Sequence, residues 1–172
     1  MEKKKFLDTY SGQSIQELID LEKEYRIDSI ISVIESVLNK KKDDKGKDSF
    51  SKEELVILSV EALERNVNHG GYHYFFCTPS NEYGNIIVDS LKTIQCPKTA
   101  RITEGAIKIL GIKDDITVEK MEKVLYEEDD SINERIMDEL EEWDNKFHQT
   151  KESIETKLFE YIIENKDKIT LE

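Results

Sequence analysis

SINERIMDELEEWDNKFHQ, residues 131–149, carries the strongest helical periodicity in the chain. Its apolar residues recur at intervals of three and four positions: Ile132, Ile136, Leu140, Trp143 and Phe147. Such intervals place side chains along one face of an α-helix, and an apolar face of this kind is buried against a core. The sequence therefore predicts an amphipathic helix over 131–149.

Similar periodicity extends to both sides of this helix. Further helices are predicted over 13–40 (one long or two consecutive), 51–68, 86–94, 97–110, 117–126 and 151–168. Ser51 followed by Glu54 has the pattern of a capping box, and Gly111 follows the helix that begins at Pro97. No alternating run of strand length is present, and Gly (7) and Pro (2) are scarce. The pattern predicts an all-α protein, a single compact multi-helix domain with an N-terminal helical arm.

The segment 40–48 contains no apolar residue and mixes lysines with aspartates. This composition is typical of a solvated loop, and we expect it to separate an arm over 1–45 from a helical domain over 51–168.

Charge is unevenly distributed along the chain. The net charge is −13, and residues 114–144 alone hold 14 carboxylates against Lys120, Lys123 and Arg135, a net of −11. Such a surface repels nucleic acid and anionic membranes and favours basic partners. There is no apolar run long enough for a membrane span or a signal peptide, and the two cysteines are too few for a disulfide framework. We expect a cytoplasmic protein with reduced thiols.

Four carboxylates, Asp130, Glu134, Asp138 and Glu142, follow one another at intervals of four opposite the apolar face of 131–149, with Glu141 beside them. Glu127, Glu128 and Asp129 extend this acidic stripe at the helix entrance. One interpretation is an ordinary solvated helix face. The other is a surface that imitates DNA, because residues four apart on a helix have Cβ atoms about 5–6 Å apart, comparable to successive phosphates.

The most distinctive string is NVNHGGYHYFFC, residues 66–77. One hypothesis is a metal site, because His69, His73 and Cys77 are spaced four apart and would align on an unbroken helix. We favour a helix break at Gly70 and Gly71, with Asn68 satisfying freed backbone groups. Three aromatic residues, Tyr72, Phe75 and Phe76, would then anchor the core. No metal ligand, cofactor or catalytic residue is assigned.

This string, with Leu91-Lys92-Thr93-Ile94, Ala100 and Ala106, resembles the DNA-mimic protein family, long catalogued as a domain of unknown function. The similarity covers about residues 51–168 and includes Trp143 to Phe147 and Leu158 to Ile162. It implies an all-helical, acidic, often dimeric protein without catalytic activity that occupies the DNA-binding surface of a transcription regulator. The chain differs from the family pattern at Asn66, at His69, and at Gln95-Cys96, where a Gly-Ala pair is common.

The leading hypothesis is a non-enzymatic protein that presents the acidic stripe to a basic DNA-binding protein, with a homodimer left open. A second hypothesis, an immunity or antitoxin protein, uses the same face against a basic nuclease toxin. A third is a metal-binding protein built on His69, His73 and Cys77.

Overall fold

The computed structural model describes residues 3–113, 115–127 and 130–171. These residues form eight α-helices and no strand. The bounds are α1 Ile15–Asp20, α2 Ile27–Lys45, α3 Lys52–Cys77, α4 Ile87–Thr93, α5 Pro97–Ile109, α6 Val118–Glu122, α7 Asp130–Gln149 and α8 Ile154–Glu164. Short 3₁₀ helices cover Leu21–Lys23, Lys47–Ser49, Pro79–Tyr83 and Lys166–Lys168, and Lys123–Glu127 is a π-helical turn. The predicted all-α fold is confirmed.

The chain forms two compact units. Unit 1 comprises Met1–Glu61 and Ser153–Glu172, and unit 2 comprises Ala62–Glu152. The predicted arm over 1–45 and helical domain over 51–168 stay predictions.

Unit 1 is built on the packing of α2 against α8. Both helices have apolar side chains at intervals of three and four, and those on the shared side are fully buried: Ile30, Ile34 and Leu38 of α2, with Leu158 and Ile162 of α8. Ahead of α1 the chain is extended and forms one backbone bridge, in which Lys5 N donates to Glu24 O at 2.8 Å and Arg26 N donates to Lys5 O at 2.8 Å. The periodicity of α2 and α8 therefore produces the core of this unit.

The predicted solvated loop over 40–48 is wrong for residues 40–45, because α2 continues to Lys45, and a 3₁₀ helix covers Lys47–Ser49. Lys41 lies on the buried side of this extension, and its Nζ donates to both carboxylate oxygens of Glu54 at 2.8 and 2.9 Å and to Thr170 O at 3.2 Å. Glu54 is also part of the predicted capping box, accepting from Ser51 N at 3.0 Å while Ser51 Oγ accepts from Glu54 N at 3.1 Å. The buried ammonium group of Lys41 is tolerated because all three hydrogen bonds that it donates have an oxygen acceptor.

In unit 2, α4 ends in a Schellman motif that leads directly into α5. Cys96 N donates to Leu91 O at 2.8 Å and Gln95 N donates to Lys92 O at 3.0 Å, with Gln95 at φ 62°. Gln95 is the one residue other than glycine with a positive φ in the described part of the chain. A left-handed backbone conformation is strained for glutamine because of its Cβ atom, whereas glycine adopts it freely. Helix α4 packs on α5 despite this strain.

We predict that Lys41→Met destabilises the protein by about 3–5 kcal/mol, because it leaves the buried Glu54 carboxylate without its cation. Urea unfolding followed by circular dichroism measures the loss. Lys40→Met is the matched control, because Lys40 is exposed on the same helix, and its effect should stay within about 0.5 kcal/mol. Equal effects of the two changes would contradict a structural role for the Lys41–Glu54 pair.

Candidate interaction surface

The helix spanning Lys52–Cys77 is broken at the double glycine. Gly70 has φ −158° and ψ 25°, and Gly71 has φ 74° and ψ −176°, so neither is helical. The break frees the backbone N–H of Tyr72, which donates to Asp144 Oδ1 of α7 at 2.7 Å. The prediction that Asn68 satisfies the freed groups is wrong for this donor, since its acceptor is Asp144 and Asn68 is exposed.

Glycine is needed where α7 approaches its neighbours. A Cβ atom at Gly71 would overlap the Asp144 carboxylate, and one at Gly105 of α5 would overlap the Trp143 ring. Two adjacent residues of α7 thus lie against two glycines from different parts of the chain. This close approach fixes the rotation of α7 about its axis.

Aromatic packing supports the same orientation. Tyr72, Phe75 and Phe76 are fully buried, and the ring of Tyr72 meets Phe147 of α7 edge-on with centroids 5.9 Å apart. The Tyr72 hydroxyl lies 2.8 Å from Thr103 Oγ1 of α5. Because these contacts and the Asp144 hydrogen bond involve one side of α7, the opposite side is left in solvent.

That opposite side is acidic. Glu134, Asp138, Glu141 and Glu142 are exposed, and within the described part of the chain none of them forms an ion pair. Glu139, between them in sequence, is partly covered and pairs with Arg135 at 3.5 Å. We call Glu134, Asp138, Glu141 and Glu142 the acidic face. Glu127 and Asp130 are the last residue of the π-helical turn and the first of α7, whereas Glu128 and Asp129 lie outside the described residues.

Asp144 differs from the acidic face in its electrostatics. Burial raises the pKa of this carboxyl above its usual value, and the hydrogen bond from Tyr72 N–H and the charge of His148 oppose that rise. The charge of Glu141 raises the pKa further. Burial lowers the pKa of the neighbouring His73, which the Asp144 charge opposes. Asp144 is therefore a structural acceptor rather than part of the solvated surface.

The structure separates the residues of the metal hypothesis. Cys77 Sγ lies 3.2 Å from His73 Nε2, while His69, before the break, packs against Tyr74 with the rings tilted by 55° and their centroids 4.8 Å apart. Within the described residues, no group of three or more His, Cys, Asp or Glu side chains is arranged to hold a metal ion. Both cysteines are free thiols.

A second carboxylate holds α5 in place. Glu152, three residues after α7, accepts from Lys98 N at 3.0 Å, Thr99 N at 2.7 Å and Thr99 Oγ1 at 2.9 Å. These donors belong to the first turn of α5, so Glu152 caps its N-terminus from a distance. Desolvation raises the pKa of Glu152, but the three hydrogen bonds and the charge of Lys98 together outweigh it, and the pKa is lowered.

Sequence reasoning missed Asp144, Gly105 and Glu152 as structural residues. The role of Asp144 could have been recognised from the sequence. Leu140, Asp144 and Phe147 fall at i, i+4 and i+7, and the carboxylate therefore interrupts the apolar face of the helix. A carboxylate at such a position predicts a buried donor nearby. Gly105 and Glu152 had no comparable signal, because neither residue interrupts an apolar face in a way that indicates a buried partner.

The fold and this surface define a class: an all-helical protein in which one helix packs against two glycines on its inner side and exposes an acidic outer side. The chain belongs to the DMP19-like protein family, whose model matches residues 48–165. This is a family of DNA-mimic proteins, generally non-enzymatic. Comparisons with curated proteins and with solved structures gave no match. Among the described residues, no helix combines the length and apolarity that a membrane span requires.

We predict that Gly71→Ala destabilises the protein by roughly 2–4 kcal/mol, combining left-handed strain with overlap of the Asp144 carboxylate. Gly111→Ala is the matched control, because Gly111 also has a positive φ, 66°, but nothing lies within 4 Å of its Cβ position. The control should cost only about 1–2 kcal/mol. Thermal and urea unfolding measure both changes, and equal losses would show that the approach of Asp144 carries no cost.

We predict that Glu152→Gln costs about 1 kcal/mol at neutral pH, as loss of a helix cap does. Because the folded pKa of Glu152 is lowered, its stabilisation is present above the unfolded value of about 4.3 and is lost as pH falls through the folded value. The difference between the free energies of unfolding of wild type and variant should therefore shrink below about pH 4. Urea unfolding at graded pH measures it, and a difference that persists in acid would contradict the capping role.

Proposed function

We propose that the acidic face binds the DNA-binding surface of a basic transcription regulator and so competes with DNA. The observation that carries the proposal is the arrangement of Glu134, Asp138, Glu141 and Glu142 on one exposed side of a helix whose other side is locked into the core. Residues four apart on this side have Cβ atoms about 5–6 Å apart, a spacing suited to Lys and Arg side chains that pair with phosphates.

Rigidity supports the proposal as much as charge does. A mimic must present its carboxylates in a fixed arrangement, because ordering them on binding would cost conformational entropy. The hydrogen bond from Tyr72 N to Asp144 and the contact between Trp143 and Gly105 supply this order before any partner binds. Membership of a DNA-mimic family is consistent with this use of the surface.

The test compares two variants of equal charge change. The face variant carries Glu134→Lys, Asp138→Lys and Glu142→Lys, and the control variant carries Asp8→Lys, Asp43→Lys and Glu164→Lys at exposed positions of unit 1. Each is immobilised and exposed to lysate of the native host, followed by elution in steps of salt.

We predict that a basic protein binds wild type and the control variant, elutes at raised salt and binds the face variant roughly 100-fold more weakly, as expected when like charges meet across an interface. A DNA duplex bound by that protein should displace it from wild type. Equal retention by both variants, or a stable ternary complex with the duplex, would contradict the proposal. Circular dichroism of both variants confirms that neither loses its fold.

A further inference from the structure

A cavity of about 290 Å³ lies in unit 2, where the end of α3 and the 3₁₀ helix Pro79–Tyr83 meet α6 and the π-helical turn Lys123–Glu127. Its walls are mainly apolar: Phe76, Pro79, Val118, Met121, Leu125 and Tyr126. Phe76 and Met121 belong to the core, so the cavity is a depression in a packed structure rather than a gap between mobile loops.

Two side chains at this cavity are unusually exposed. Val118 is 51% and Tyr126 62% exposed, the highest values among large hydrophobic residues in the described part of unit 2. Tyr126 belongs to the π-helical turn, a distortion that proteins often use at functional sites. Apolar surface gathered around a concave site is typical of a docking point for a partner.

Asn81 is the most buried polar residue that lines the cavity. Asn81 lines it and is 6% exposed, and its Oδ1 accepts no hydrogen bond from the described residues although its Nδ2 donates to Phe76 O at 3.0 Å. Because Oδ1 itself is buried, an occupant of the cavity meets the apolar side chains around Asn81 and not this acceptor. An aromatic side chain offers a large apolar ring to such walls.

Charge indicates which occupant fits. Glu119 and Glu122 are exposed on α6 beside the cavity, and Glu122 lines it. The surrounding stretch 114–144 has a net charge of −11, which repels a second copy of the same surface and attracts a basic one.

We propose that this cavity receives one large aromatic side chain, for which tryptophan serves as the probe, carried by a basic segment of the protein partner. The inference rests on the proposed function and extends it, since the partner then needs an aromatic anchor within its basic surface as well as lysines and arginines. Phosphate mimicry alone would give affinity for any basic surface, whereas an anchor would select among them.

The first experiment uses two synthetic lysine-rich peptides of equal charge, one with a single central tryptophan and one with alanine in its place. Binding to the full chain is measured by isothermal titration calorimetry. We predict that the tryptophan peptide binds wild type about tenfold more tightly than the alanine peptide, as expected for an interface anchor. Equal affinities would overturn the proposal.

Two changes to the cavity test its location. Val118→Ser combined with Tyr126→Ser should abolish the preference for tryptophan, whereas Ile163→Ser, at an exposed apolar residue of unit 1, should leave it intact. Alkylation of Cys77 with N-ethylmaleimide should also abolish the preference, because Cys77 lines the cavity while Cys96 is fully buried. Burial raises the pKa of the Cys77 thiol, so mildly alkaline conditions are used. The Cys77→Ala variant should keep the preference after the same treatment.

The outcomes separate this inference from the proposed function. If the face variant weakens both peptides while neither cavity change alters the preference for tryptophan, the acidic face binds cations and the cavity proposal fails. If the cavity changes abolish the preference for tryptophan while the face variant binds both peptides as tightly as wild type does, the acidic face is not the binding surface. The cavity could also be occupied by a second copy of this chain, which sedimentation equilibrium tests. If wild type is a dimer and Val118→Ser with Tyr126→Ser dissociates it, the cavity belongs to the dimer interface and the proposal is overturned.

Discussion

The hydrogen bond from Tyr72 N–H to the Asp144 carboxylate determines how α7 lies in unit 2. A helix break at Gly70 and Gly71 frees a backbone donor in the protein interior, and leaving such a group without an acceptor costs about 1–3 kcal/mol. The acceptor comes from α7, and Gly71 leaves room for it because it has no side chain. Once Asp144 points inward, helical geometry places the acidic face outward. The orientation of the charged surface is thus a consequence of a backbone requirement on another helix.

Local periodicity predicted the helices well because each one has an apolar face that repeats every three or four residues. The break at the double glycine and the helix end at Gly111 could also be predicted, since glycine chemistry is local. The prediction of a loop over 40–48 was wrong because charged residues are as compatible with the end of a helix as with a loop. The burial of Lys41 also depends on Glu54, which lies 13 positions away. The role given to Asn68 failed for the same reason, because the acceptor is 72 residues away from Tyr72 in sequence.

Carboxylates in this chain have two distinct uses, and composition alone does not separate them. Asp144 and Glu152 accept hydrogen bonds from backbone N–H groups and hold helices together, whereas Glu134, Asp138, Glu141 and Glu142 stay in solvent. The exposed set could be predicted because angular position on a helix follows from sequence. The structural set could not, apart from the interruption that Asp144 makes in an apolar face. Membership of the DMP19-like family rests on a match over 48–165, a stretch that includes both sets.

The position of Asp144 one turn from the solvated carboxylates couples the charge of α7 to the contact that orients this helix. Glu141 already raises the pKa of Asp144, and burial raises it too, so both act against the ionised form that accepts most strongly from Tyr72. Each carboxylate added near Glu141 would push Asp144 further toward the protonated state and weaken the contact that orients the helix. Additional negative charge on α7 would therefore weaken the hydrogen bond that holds this helix in place. Stronger attraction of cations and a well-fixed helix are thus opposing requirements.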